Sequence, residues 1–269
     1  MGFLESDHFD TTCFRERPGD LDYRLLARKL DDRYIYTRFK NLPIIQLKVL
    51  AAGTLNTTGG GAATGAAGDE NRMLFPEAYF EYHILGTQTI LYPQKAANGL
   101  DCAMDLTDND GVELTNGIEP GMSCAFTVGT DLAFFFKCKF DIADVSGSDD
   151  CMAGFRKREA YQANVDDYDE MAGLNVISGD IKIETVLNNA ATVTTDSTDN
   201  WADAAAKTLG TFVSSTGVVT YTIDGKAPTT TAAYTFDDAE VVIPFHFFLH
   251  ATTSPGAHVL REWECGLQA

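Results

Sequence analysis

The sequence predicts an all-β protein built as a two-sheet antiparallel sandwich, and three observations predict it. Along Asp131–Ile142 (DLAFFFKCKFDI), Leu132, Phe134, Phe136, Cys138, Phe140 and Ile142 alternate with Ala133, Phe135, Lys137, Lys139 and Asp141, the period of a half-buried strand. At 3.3 Å per residue this stretch spans roughly 40 Å, too long for one helix to cover, so a second sheet has to close over it. Further strand-like runs follow at short intervals, separated by Gly-, Asn- and Asp-rich turns. Helical periodicity is confined to two short candidates, one after a cap at Asp20 and one turn at Trp201–Ala206.

In chain order, residues 1–52 read as an N-terminal arm, polar at first and broken by Pro18-Gly19, then carrying two strand patterns at Arg33–Phe39 and Pro43–Leu50. These either anchor the protein to a partner or add edge strands to the sandwich. Residues 53–68 are a Gly/Ala/Thr-rich linker or loop, and 69–269 hold the sandwich itself. Strands are expected at Phe80–Leu85, Thr89–Tyr92, Met104–Leu106, Val112–Leu114 and Ser123–Val128. The long central strand should turn at Ser146–Asp150 and return through Cys151–Phe155 as a hairpin. Gly173–Ile177 and Asp180–Leu187 come next, followed by a polar loop at Asn188–Asn200. Lys207–Val213 and Val218–Ile223 continue the pattern, and Asp224-Gly225 supplies the positive φ of a type I′ turn into Lys226–Pro228. Glu240–His250 and Val259–Cys265 close the fold.

The charge narrows the partners. The formal net charge is −19 with a pI near 4.4, which excludes nucleic acid as the main ligand because phosphate binding needs a basic surface. No apolar run approaches the roughly 20 residues of a membrane span, and MGFLESDHF lacks the apolar core of a signal peptide. Cytoplasmic synthesis with reduced thiols is the expectation, and the six cysteines show neither CxxC pairs nor a metal-ligand rhythm. Residues 1–50 differ from the rest, with nine Lys/Arg against eight Asp/Glu and several tyrosines. Arg and Tyr are enriched in buried interfaces. Arg15, Arg17, Tyr23, Arg24, Arg28, Arg33, Tyr34, Tyr36 and Arg38 are therefore the partner-binding candidates.

Signals for chemistry are sparse. His246 and His250 share a strand face about 13 Å apart, too far to hold one ion between them, so they read as structural or solvent-facing. Asp105, Asp108, Asp110 and Glu113 surround Gly111 without the register of an EF-hand, leaving an Asx turn with opportunistic Ca²⁺ binding as the alternative. Asp166, Asp167, Asp169 and Glu170 cluster in an acidic excursion. Glu262 and Glu264 would lie roughly 7 Å apart on one strand face, a spacing that paired-carboxylate glycosidases use. No nucleophile elbow, phosphate loop or dinucleotide fingerprint is present. Neither catalytic residues, nor metal ligands, nor a cofactor are expected.

The runs AFFFKCKFDIADVSGSDDCMAGFRK (133–157), GVVTYTIDGKAP (217–228) and EVVIPFHFFLHATTSPGAHVLREWECG (240–266) resemble the concanavalin A-like, laminin-G-like jelly rolls of tailed-bacteriophage virion proteins. Gly154-Phe155, Tyr221, Ile223, Asp224, Gly225, Pro244 and Phe245 carry the likeness. It implies a jelly-roll sandwich over roughly residues 75–267. It also implies a non-enzymatic virion protein, a capsid decoration protein held by its arm on the major capsid protein and assembled as a homo-oligomer such as a trimer. The alternative is a carbohydrate-binding head, tail or fibre module that recognises host glycans, with Trp201 and Trp263 as the stacking residues. The glycanase motif of such folds, Glu-x-Asp-x-(x)-Glu, is absent.

Overall fold

The computed structural model describes residues 33–39, 45–49, 55–56, 70–75, 78–87, 93–103, 107–118, 124–251 and 256–268. Among them the regular structure is β-strand, with 3-10 turns at Val145–Gly147 and Val165–Asp167. The strands are β1 (Ile35–Arg38), β2 (Ile45–Val49), β3 (Leu55–Asn56), β4 (Glu70–Leu74), β5 (Tyr79–Leu85) and β6 (Gln94–Ala96). Next come β7 (Gly99–Asp101), β8 (Gly111–Thr115), β9 (Phe126–Thr127), β10 (Phe134–Ile142), β11 (Ser148–Lys157) and β12 (Met171–Ile177). The last six are β13 (Asp180–Val186), β14 (Val193–Asn200), β15 (Ala206–Val213), β16 (Val219–Ile223), β17 (Val241–His250) and β18 (His258–Leu267). They form two antiparallel sheets, one of seven strands ordered β16-β15-β10-β18-β7-β6 with β1 also on β18, the other of eleven ordered β14-β13-β12-β11-β17-β8-β5-β4-β2-β3 with β9 on β17. This is the all-β two-sheet sandwich that the alternation predicts and the jelly roll that the resemblance implies.

The core lies between the sheets. Phe134, Phe136, Cys138, Phe140 and Ile142 of β10 face Cys151, Ala153 and Phe155 of β11, Ala172, Leu174 and Val176 of β12, and Phe248 of β17. Each large apolar side chain taken out of water contributes about 1.5–3 kcal/mol. This is why the strict alternation of β10 fixes its register so firmly.

The expected β10–β11 hairpin is not formed. β10 pairs with β15 and β18, whereas β11 pairs with β12 and β17 in the other sheet. The chain crosses between sheets through the Val145–Gly147 turn, where the Asp144 carboxylate accepts the Ser146 N–H at 3.0 Å. The cause is aromatic packing. Phe134 and Phe136 on the inner face of β10 meet the Phe155 ring of β11 across the two sheets, at centroid distances of 5.0 and 6.2 Å. The Asp224-Gly225 turn does form, with φ of 51° and 78° and paired backbone bonds between Ile223 and Lys226.

Three further differences have local causes. Val193–Asn200, expected as a loop, is the edge strand β14, held by β13 on one side. Being exposed along most of its length, it has no need of an apolar face and so shows no alternation. Trp201–Ala206 forms no helix; Trp201 N–H donates to Gly179 O, and Ala206 already pairs with Asp141. β1 lies along β18, and β2 pairs with β3 and β4, so residues 35–38 and 45–49 are strands of the sandwich. The helix proposed after Asp20 and the strands proposed at Thr89–Tyr92 and Met104–Leu106 lie outside the described residues.

The larger sheet is also covered on part of its outer face. Met152, Val165, Tyr168, Met171, Val186, Phe245 and Phe247 form a second apolar cluster there. At its centre Arg156, fully buried, donates from Nε to the buried Glu113 Oε1 at 2.6 Å, while Tyr168 O–H donates to Glu113 Oε2. Arg156 also donates to the carbonyls of Lys157 and Glu159, and its guanidinium lies 4.3 Å from the Tyr168 ring centre. Residues 158–170 thus close over the sheet like a flap.

Glu170 ends that flap, buried and accepting the Asp237 N–H at 3.5 Å. Burial first, and then the nearby Glu240 and Asp237 carboxylates, push its carboxyl up to about 7 against the Asp237 N–H bond and the pull of Lys157. An unfolded glutamate ionises near 4.3, so between that pH and about 7 the folded chain holds a proton that the unfolded chain has lost, and stability falls as pH rises. Glu170→Gln removes this dependence. Urea midpoints should favour the variant more at pH 8 than at pH 5; an equal gap at both pH values would contradict the assignment.

Candidate functional site

Of the partner-binding candidates, Arg15, Arg17, Tyr23, Arg24 and Arg28 lie outside the described residues. The other four are turned onto the sandwich itself. Arg33 grips Asp131 through both terminal nitrogens at 2.8 and 2.9 Å, donates to Ala125 O and lies over the Phe126 ring. Burial raises the Asp131 carboxyl, but the Arg33 bonds and the Thr127 N–H outweigh it and hold the acid below its ordinary value. Tyr34 is buried and donates to Glu264 Oε1 at 2.8 Å; Tyr36 donates to Glu262, and Arg38 donates to the Tyr36 hydroxyl. These bonds follow from the β1–β18 register, which sets Tyr36 opposite Glu264 and Arg38 opposite Glu262. They also engage Glu262 and Glu264, which therefore make no free carboxylate pair.

The two tryptophans are a correction. Trp201 is 3% exposed and Trp263 0%, so neither presents a face to a sugar. Trp201 stacks on Phe140 at 4.6 Å and donates from Nε1 to Ala205 O, while Trp263 packs between Phe80 and Phe136 at 5.2 and 4.3 Å. Both occupy inward positions of the sandwich, where a large ring fills space that polar residues cannot. The acids around Gly111 do not converge either: Glu113 is committed to Arg156 on the outer face, and the Asp110 carboxylate accepts the Thr87 N–H.

What the fold does assemble is a polar row on the outer face of the larger sheet, across β11, β12, β13 and β14. Asn175 Oδ1 accepts the Cys151 N–H at 2.8 Å, which orients the carboxamide. Its Nδ2 then donates to Asp150 Oδ1 and to Glu184 Oε2, both at 2.6 Å. Thr194 O–H donates to Glu184 Oε1 at 3.0 Å. One amide thus bridges two carboxylates on its two flanking strands. Burial is the largest cause raising both acids, Asp150 to about 7, with the Asn175 bonds pulling the other way. Asn175 and Glu184 are buried, Asp150 is half-buried at a register shift of β11, and Asp149, Asp166 and Thr194 line the exposed rim.

Sequence reasoning missed this row because its members are far apart in sequence and none belongs to a motif. The available signal was the polar position Asn175 inside an otherwise apolar strand (GLNVI), since buried polar groups need partners.

A second constellation lies on the inner side. His246 Nδ1 is 2.9 Å from Met152 O, and its Nε2 is 2.7 Å from His258 Nε2. Cys151 Sγ is 3.7 and 3.8 Å from the two ring nitrogens of His258. All three residues are fully buried. His246 and His250 do not share an ion-sized gap, as their spacing predicts; His250 Nε2 is instead 3.2 Å from Ala103 O. Cys102, Cys138, Cys151 and Cys265 are free and buried, and Cys124 is buried as well.

The two stacked antiparallel sheets define a jelly-roll sandwich as the class of architecture. No family model matches the sequence, and no curated protein matches it. Among solved structures, the chain is similar to the metal-free carbohydrate recognition domain of Emp46p, at 8% identity and a TM-score of 0.47 over 70% of this chain and 87% of that one. It is similar to the carbohydrate recognition domain of Emp47p at 10% identity and a TM-score of 0.48, covering 89% and 97%. The ligand-binding domain of botulinum neurotoxin serotype D, solved with N-acetylneuraminic acid, matches at 10% identity and a TM-score of 0.42, covering 84% of this chain and 47% of that one. Values this low carry no argument about function. No helix among the described residues is long and apolar enough to cross a membrane.

Proposed function

We propose that the chain is a non-catalytic glycan-binding module whose ligand lies on the outer face of the larger sheet, against Asp150, Asn175 and Glu184. The observation that supports this is the single carboxamide holding two carboxylates on adjacent strands. Carboxylates accept up to four hydrogen bonds, so a bridged pair offers a fixed array of acceptors to vicinal hydroxyls. Two acids kept side by side against burial are also costly to retain for packing alone, and perturbed acids gather at functional sites. The ligand class is a neutral, hydroxyl-rich glycan. A sialylated or sulfated chain would meet like charge at the site and a net charge of −19 overall. Catalysis is disfavoured because both oxygens of Glu184 already accept hydrogen bonds within the site.

Display on a virion surface is the second reading, supported by the sequence resemblance of residues 133–157, 217–228 and 240–266. In that setting a capsid contact falls to Arg15, Arg17, Tyr23, Arg24 and Arg28, because Arg33, Tyr34, Tyr36 and Arg38 already bind the sandwich. Homo-oligomeric assembly belongs to the same reading.

The test is a mixed array of neutral and sialylated glycans probed with the full chain and with Asp150→Asn. The wild type should retain neutral glycans, and the variant should bind the best of them about tenfold or more weakly, the value of one lost hydrogen bond to a charged acceptor. Equal affinity in the variant, or retention of sialylated glycans only, would overturn the assignment.

A further inference from the structure

We propose that Cys151, His246 and His258 form a buried site for one zinc(II) ion that ties the two sheets together through the core. The ligands come from three strands. Cys151 on β11 and His246 on β17 belong to the larger sheet, and His258 opens β18 in the smaller one. Their donor atoms lie within 4.8 Å of one another. One thiolate and two imidazoles are a borderline-soft donor set that suits zinc better than calcium or magnesium.

The distances support an ion-sized gap. A tetrahedral zinc with bonds of about 2.3 Å to sulfur and 2.0–2.1 Å to nitrogen separates S and N by roughly 3.6 Å and two nitrogens by roughly 3.3 Å. Cys151 Sγ stands 3.7 and 3.8 Å from the His258 nitrogens, already at that spacing. The two imidazoles, 2.7 Å apart, need to open by only about half an ångström.

The surroundings fit as well. Met152 O accepts from His246 Nδ1–H and so leaves Nε2 with its lone pair facing the gap, the outer-shell arrangement that ligating histidines use. The rings of Phe140 and Phe248 flank His258 at 5.1 and 4.1 Å, making the shell dry.

The metal-free alternative is a hydrogen-bonded chain, from Cys151 S–H through His258 and His246 to Met152 O. The experiment separates the two. Because the site is sealed, the full chain is unfolded in denaturant with a reductant and refolded with Zn²⁺, or with Co²⁺ as an optical probe, then gel-filtered. The proposal expects one metal per folded chain, a thiolate-to-cobalt charge-transfer band, and an X-ray absorption shell of sulfur and nitrogen. Cys151→Ser should abolish that band. Cys265→Ser, at a buried thiol seven residues beyond His258 on the same strand, should keep it. Should Cys151→Ser fail to fold, the absorption shell of the wild type decides alone. A folded wild type free of metal, an oxygen-only shell, or an unchanged band in a folded Cys151→Ser would overturn the site.

Discussion

Arg156→Met should destabilise the protein by about 3–5 kcal/mol, the loss expected when one partner of a buried ion pair is removed. Both Arg156 and Glu113 are fully buried, and the methionine would leave Glu113 with the Tyr168 hydroxyl but no counter-charge. Burial already pushes the Glu113 carboxyl up even with the guanidinium beside it. Without Arg156 it must take a proton or let water into the outer cluster around Phe245 and Met171. The flap would loosen too, since Arg156 donates to Glu159 O and lies under the rings of Tyr161 and Tyr168. Adding Glu113→Gln to the variant should restore much of the loss, because an amide is cheaper to bury than a lone charge. Urea denaturation of the four proteins of the cycle measures this. A loss below about 1 kcal/mol in Arg156→Met would show that the pair is not the buried clamp of the flap.

Phe155→Ala should cost a similar amount, about 3–5 kcal/mol, through the cavity it leaves. Its ring sits 5.0, 6.0 and 6.2 Å from those of Phe134, Phe126 and Phe136, joining the two sheets at one point. β11 cannot move in to fill the space, because its residues pair with β12 on one side and β17 on the other. Phe155→Leu keeps most of the volume and should recover well over half of the loss. A melting temperature in Phe155→Ala within a degree or two of the wild type would contradict the face-to-face packing of β10 on β11.

Much of the architecture was legible because burial imposes a period. Phe134, Phe136, Cys138, Phe140 and Ile142 all point inward as alternation requires, and Asp224-Gly225 makes its turn because the positive φ is written into the residue type. The partner of a strand was not legible. Nothing local distinguishes a return strand from a crossing, since both need only an apolar face, and Phe155 decides between them through rings in the opposite sheet. β14 was hidden for the complementary reason: an exposed edge strand has no face to mark. Trp201 and Trp263 looked like sugar platforms because exposure cannot be read from residue type, and both proved to be core. The sites were the least legible. Asp150, Asn175 and Glu184 are adjacent only through β11–β12–β13 pairing, and Cys151, His246 and His258 only through sheet stacking. His246 invited comparison with its sequence neighbour His250, while its partner in space lies on another strand of another sheet.

The most direct test of the glycan site is the Asn175 side-chain amide. In the ¹⁵N-labelled full chain, the two Nδ2 protons, each committed to a different carboxylate, should give one slowly exchanging, well-separated pair of resonances. Titration with a neutral oligosaccharide retained on the array should move that pair together with the backbone amides of Asp150, Cys151 and Glu184. Binding that leaves those resonances in place while shifting others would put the ligand elsewhere and contradict the site.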